Sequence, residues 1–137
     1  MIHYTSIEKS KHLLDLGMSP ASADMKWRNG KVDNLIHYAV PFPLEEFELC
    51  NLEKDAPCWS LGALLDIMPK TITDEYDSTG CLGMCVFHNS SWGWVVYYSN
   101  ADADCSSIHE EQGKTLLKAA YNMVCWLLEQ GYIKNEV

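Results

Sequence analysis

Positive charge is scarce in this sequence. Ten Lys and Arg stand against nineteen Asp and Glu over 137 residues, a formal net charge of −9. A surface of that sign repels a phosphate backbone, so direct nucleic-acid binding is not expected. Long apolar runs are missing as well. None approaches the roughly 20 residues that cross a bilayer, and no membrane association is expected. The opening MIHYTSIEKSKHLLDLG lacks the basic start, apolar stretch and small-residue cleavage site of a secretion signal. The expected location is therefore cytoplasmic. The six cysteines, at 50, 58, 81, 85, 105 and 125, are then expected as reduced thiols, which pack like small apolar residues. There is no internal repeat, low-complexity tract or Gly/Ser-rich linker, and the length suits one domain over residues 1–137. The excess acid serves solubility first; its special use would be imitation of DNA toward a basic protein.

Local signals place the elements. A helix starts at Thr5 or Ser6, where Thr5-Ser6-Ile7-Glu8 fits a capping box; Ile7, Leu13, Leu14 and Leu16 partly line one side, and Gly17 is placed to stop the helix. Ser19-Pro20 starts a short second turn. Asn29-Gly30 supplies the positive φ angles of a two-residue hairpin, and the strand after it alternates Ile36, Tyr38 and Val40 with Leu35, His37 and Ala39 until Pro41. The acidic stretch PLEEFELCNLEKDAP reads as a loop with a helical turn at 44–49. In CWSLGALLDIMPK, Leu61, Leu64, Leu65 and Met68 share a helical face, Asp55 or Ser60 caps it and Pro69 ends it. The last helix runs from a Thr115 cap to about Gln130 before Gly131. Its polar stripe of Lys118, Asn122 and Glu129 is narrow, so a sheet and either other helices or a second copy of the chain must cover the rest.

Chemistry concentrates in CLGMCVFHNSSWGWVVYY, residues 81–98. Leu82, Met84 and Val86 alternate with Cys81, Gly83, Cys85 and Phe87, and Trp92, Trp94, Val96 and Tyr98 alternate with Gly93, Val95 and Tyr97. Apolar character on both faces predicts a central or doubly covered hairpin. Cys81 and Cys85 then share a face about 13 Å apart, given a rise of roughly 3.3 Å per residue. His88 points the other way. The Cys-x3-Cys-x2-His spacing would suit zinc only in a tight knuckle, so no metal site is expected, with Cys105 and His109 the additional ligands such a site would need.

A cysteine nucleophile needs a stabilised thiolate. Cys58 is the candidate, placed by DAPCW at a helix start with His88 or His109 as its imidazole; the competing account is packing. Asp102, Asp104, Glu110 and Glu111 lack the glycine turn and ligand spacing of an EF-hand and read as a solvated acidic loop. Gly113-Lys114-Thr115 lacks the rest of a P-loop, and no cofactor is implied. Trp92, Trp94 and Tyr98 on one strand face, with Trp59 and Trp126 nearby, form either core or a binding platform. Trp126, beside the polar stripe of the last helix, is the aromatic most suited to face a partner or ligand.

PCWSLGALLDIMP, followed after a hairpin by GKTLLKAAYNMVCWLLEQGYI, resembles small accessory proteins of bacterial phages and mobile elements, over roughly residues 57–133. That group carries no assigned activity, so the resemblance implies a setting and no catalytic residue. The expectation is an α+β protein: an antiparallel sheet of about four strands, from two hairpins, packed with about three helices. The expected function is a non-enzymatic protein-interaction module, with a protein partner or a homodimer. The alternative is a small enzyme or ligand-binding protein using Cys58 with His88 or His109.

Overall fold

The computed structural model describes residues 3–34, 55–73, 81–99 and 107–133. The expected strand at 35–40, the helical turn at 44–49 and the acidic residues Asp102 and Asp104 lie outside them, as do Cys50 and Cys105. The described residues are α+β, with three α-helices and two antiparallel sheets, one of three strands and one of four. They pack as two compact units, drawn from Met1–Ile67 and from Met68–Ile133. The two hairpins expected to share a sheet belong to different ones, the first to the smaller sheet and the second to the larger.

In the first unit, helix α1 spans Ile7–Asp15 and is capped by Ser6, whose Oγ accepts from the Lys9 amide at 3.2 Å. Of the two expected starts the helix uses Ser6, because Thr5 is fully buried and its polar atoms are used elsewhere. Strands β1 (Met25–Arg28) and β2 (Lys31–Asn34) form the expected hairpin, with φ of 51° at Asn29 and 78° at Gly30. Asp55 secures this turn rather than capping a helix, accepting from the Asn29 amide at 2.8 Å. Strand β3 (Ala56–Cys58) pairs with the other side of β1. Helix α2 (Leu61–Ile67) follows, with Ser60 Oγ accepting from the Ala63 amide.

Thr5 ties these pieces together. Its amide donates to the Trp59 carbonyl at 2.9 Å, and its hydroxyl oxygen accepts from the Trp59 amide at 3.1 Å. Its carbonyl takes both the Trp27 indole N–H at 2.9 Å and the Cys58 thiol at 3.3 Å. Asp24 completes the cluster by accepting from the amide and the hydroxyl of Ser60. Among the described residues, no buried side-chain nitrogen or oxygen lacks a partner, as the cost of burying polar groups demands.

The second unit is a four-stranded meander, β4 (Thr71–Thr73), β5 (Cys81–Asn89), β6 (Gly93–Ser99) and β7 (Ser107–Gly113), each strand beside its predecessor. Helix α3 (Leu116–Glu129) packs on β6 and β7. It starts at Thr115, whose hydroxyl accepts from the Lys118 amide at 3.1 Å, and nine of its residues are buried. Val96 and Tyr98 on β6 are fully buried, and the Tyr98 hydroxyl donates to the Pro69 carbonyl at 2.7 Å.

Gly113, the residue that superficially opens a phosphate motif, has a packing role. A Cβ there would stand 2.7 Å from the Ala119 amide nitrogen and 2.8 Å from Lys118 Cβ. Only a glycine lets β7 pass this close to the first turn of α3. Gly113→Ala is therefore expected to lower stability by about 1–3 kcal/mol through overpacking. Gly62→Ala, at an exposed position of α2 where the new carbon meets nothing nearer than 3.7 Å, is expected to raise it by about 0.4–1 kcal/mol. Urea denaturation of both variants checks the signs.

Candidate functional site

The extended pairing expected for residues 81–98 is present. Strand β5 runs unbroken from Cys81 to Asn89 and pairs with β6 from Gly83↔Ser99 to Asn89↔Gly93. Positions 81 and 85 are therefore four residues apart on a straight strand. Cys85 and His88 fall on opposite faces, as the register Cys85↔Tyr97 and His88↔Trp94 requires. The Cys85 thiol lies against the Gly83 carbonyl and the Ser99 hydroxyl. Among the described residues, no three His, Cys, Asp or Glu side chains gather in a way that could hold a metal ion.

The period of two gives the sheet two different faces. One carries His88, Trp94, Val96, Tyr98, His109 and Glu111. On this face the His88 ring meets Trp94 edge-on at 4.9 Å. His109 lies flat on Trp126 of α3, ring centroids 4.1 Å apart and planes 5° from parallel, while its Nε2 meets Glu111 Oε2 at 2.6 Å. Tyr132 lies tilted against Trp126, ring centroids 5.6 Å apart. Trp126, the aromatic expected to face a partner, is thus half-buried under an imidazole that a neighbouring carboxylate holds in place.

The opposite face carries Phe87, Val95, Tyr97, Ser99 and Glu110, and these residues line a groove of about 280 Å³ together with Trp92. Trp92 was expected on the strand face of Trp94 and Tyr98. It lies instead in the hairpin turn, because Gly93 has a φ of +83° and interrupts the strand alternation just before β6 begins. The turn itself is held by the Ser91 amide donating to Asn89 Oδ1 at 2.7 Å. Trp92 is 62% exposed and Phe87 46%, over a Val95 that is 4% exposed. Phe87, Tyr97, Ser99 and Glu110 belong to no sequence motif that groups them. The signal was available in the odd numbering of 87, 95, 97 and 99, but the register that sets Glu110 opposite Tyr97 depends on β7, whose strand character the acidic composition concealed.

Cys58 sits in β3, not at a helix start, and is fully buried. Burial pushes its thiol up to about 12, and the Asp24 carboxylate adds to the effect against the opposing hydrogen bonds from Thr5. The hydrogen it keeps is the one donated to the Thr5 carbonyl. Cys125, on α3, is also pushed up, first by burial and then by Glu129 and Glu111. Neither environment offers the positive charge that stabilises a thiolate. His109 has Glu111 and Trp126 as its partners, and His88 has Trp94. Trp59 is fully buried in the first unit, with its indole N–H donated to Ser22 Oγ at 2.9 Å. No helix of the described residues is long and apolar enough to cross a membrane.

Compared with protein-family models, with curated proteins and with solved structures, the chain matches none.

Two measurements check the thiol environments. In native protein at neutral pH, iodoacetamide labelling mapped by mass spectrometry should modify half-buried Cys85 well before Cys58 and Cys125; rapid selective labelling of Cys58 would reverse the assignment of its role. The raised value of Cys58 also has a sign. Below pH 9 the thiol is protonated folded or unfolded, and between about 9 and 12 only the unfolded chain ionises. Its contribution is therefore full below pH 9 and is lost as pH rises, by about 1.4 kcal/mol per pH unit. The stability advantage of the natural protein over Cys58→Ala should shrink between pH 9 and 11.

Proposed function

We propose that this chain is a non-enzymatic protein-interaction module that offers the groove face of its four-stranded sheet to a partner protein. The observation that carries the reading is where the exposed large apolar side chains are. Among the described residues they are Val86, Phe87 and Trp92, all in the β5–β6 hairpin; Val86 lies on the other face, and the two rings border the groove. Isolated exposed apolar residues are ordinary, but two aromatic rings projecting beside a shared groove favour an interaction surface. Tryptophan in particular loses little conformational entropy for the area it buries on binding.

The size and form of the groove favour a protein partner over a small molecule. Its volume of about 280 Å³ falls at the lower edge of ligand sites, and all six lining residues come from one hairpin and the neighbouring strand. That is room for one or two side chains of a docking segment. The chemical environments of Cys58 and Cys125 weigh against the enzyme alternative, because each thiol keeps its proton at neutral pH. A role in a phage or mobile element belongs to the same proposal and rests on the resemblance of residues 57–133. Homodimerisation through the groove would set an acidic surface against its copy, since the chain carries −9 and Glu110 lines the groove.

The test pairs the natural protein with Phe87→Ala/Trp92→Ala as baits in a bacterial lysate. Both side chains are exposed, so the melting temperature should be essentially unchanged. At least one protein should be enriched more than about tenfold by the natural bait over the variant, and the purified pair should lose affinity to the same extent. Identical recoveries with the two baits would refute the reading, and a concentration-dependent dimer in sedimentation would replace the foreign partner with a second copy.

A further inference from the structure

We propose that the groove accepts a basic side chain, arginine or lysine, carried on an otherwise apolar segment of the partner. The inference rests on the interaction reading above and specifies its chemistry. Along β6 the groove changes character. At the hairpin end, Phe87 and Trp92 flank Val95, and Phe87 lies directly across from Val95 in the register. At the other end are Tyr97, paired with Glu110 of β7, and Ser99. From Val95 to Ser99 is four residues, about 13 Å of strand.

A long cationic side chain fits that gradient. Its methylene stem covers apolar surface while its charged head reaches a polar end, which is how lysine and arginine bury themselves at interfaces. The rings of Phe87, Trp92 and Tyr97 offer faces to which a cation is attracted, and arginine also stacks on them. Glu110 supplies the counter-charge. It already makes contacts within the chain, but a carboxylate has two oxygens and accepts several hydrogen bonds at once. At longer range the net charge of −9 draws a basic segment toward the protein and repels an acidic one. Glu110 on β7 lies in the groove itself, so the sign is negative where the head of the side chain would arrive.

Three capped hexapeptides provide the probes: alternating valine–arginine, valine–glutamine and valine–glutamate, each labelled with a dye and titrated with the full chain by fluorescence anisotropy. The arginine peptide should bind at least tenfold tighter than the glutamine peptide, and the glutamate peptide should not bind measurably. Glu110→Gln should cut arginine-peptide affinity about tenfold and leave the glutamine peptide unchanged, whereas Trp92→Ala should weaken both. If the arginine and glutamine peptides bind alike and Glu110→Gln does nothing, the charge selectivity is refuted while the interaction reading stands. Arginine-peptide binding that survives Trp92→Ala, Phe87→Ala and Glu110→Gln together would place it elsewhere on the acidic surface and refute the inference. Failure of all three peptides would refute it too, and the paired-bait comparison would then decide separately whether the groove face binds a protein at all.

Discussion

Strand β6 is apolar on both faces, and the pleat of a β-strand allows no compromise about which residue goes where. Val96 and Tyr98 must lie on one side of the sheet and Val95, Tyr97 and Ser99 on the other. The first set is sealed, with Tyr98 hydrogen-bonded to the Pro69 carbonyl and α3 packed on the strand. The second set lines a groove whose rim is aromatic and exposed. A one-residue slip of register would exchange the two sets, burying the groove and exposing the core. The fixed register of β5, β6 and β7 therefore specifies both the stability of the second unit and the composition of its outward surface.

Much of this was legible because local signals and tertiary demands agree. Asn29-Gly30, the Thr115 cap, Gly131 after the last helix and the alternation at residues 81–89 and 93–98 each have one strong conformational preference, and each appears where expected. The departures occur where a side chain has a better use than the local rule gives it. Thr5 gives up the helix cap because its amide, hydroxyl and carbonyl bind β3 and its flank, so Ser6 takes the cap. Cys58 is drawn from a helix start into a strand by pairing with Met25 across the sheet. Trp92 leaves the strand face because the glycine after it adopts a left-handed backbone. Long-range pairing and positive φ angles are not encoded in hydrophobic period, which is why Cys58 and Trp92 depart from it and why the period leaves Thr5 and Ser6 equally placed to cap α1.

The site was legible to a smaller degree. Hydrophobic alternation marks which residues of β5 and β6 share a face, but it does not distinguish the covered face from the open one. Of the aromatic candidates Trp126, Trp92 and Trp94, the first and last are engaged by imidazoles, through stacking on His109 and an edge contact with His88, while Trp92 lines the groove. Sulfur and imidazole chemistry is versatile, yet Cys58 and Cys125, among the described residues, are buried thiols. Among the described residues, the exposed large apolar side chains are Val86, Phe87 and Trp92, and Glu110 lines the groove beside the two rings.

The Thr5 cluster has a bearing on how the chain acquires its shape. Its hydrogen bonds join residues 54 apart in sequence, and the Leu61 amide reaches back to the His3 carbonyl over a still longer interval. Closing so large a loop costs entropy before any of these bonds can offset it. During synthesis the leading segment must therefore wait, its polar groups satisfied by water, until the ribosome has delivered the chain beyond Ser60.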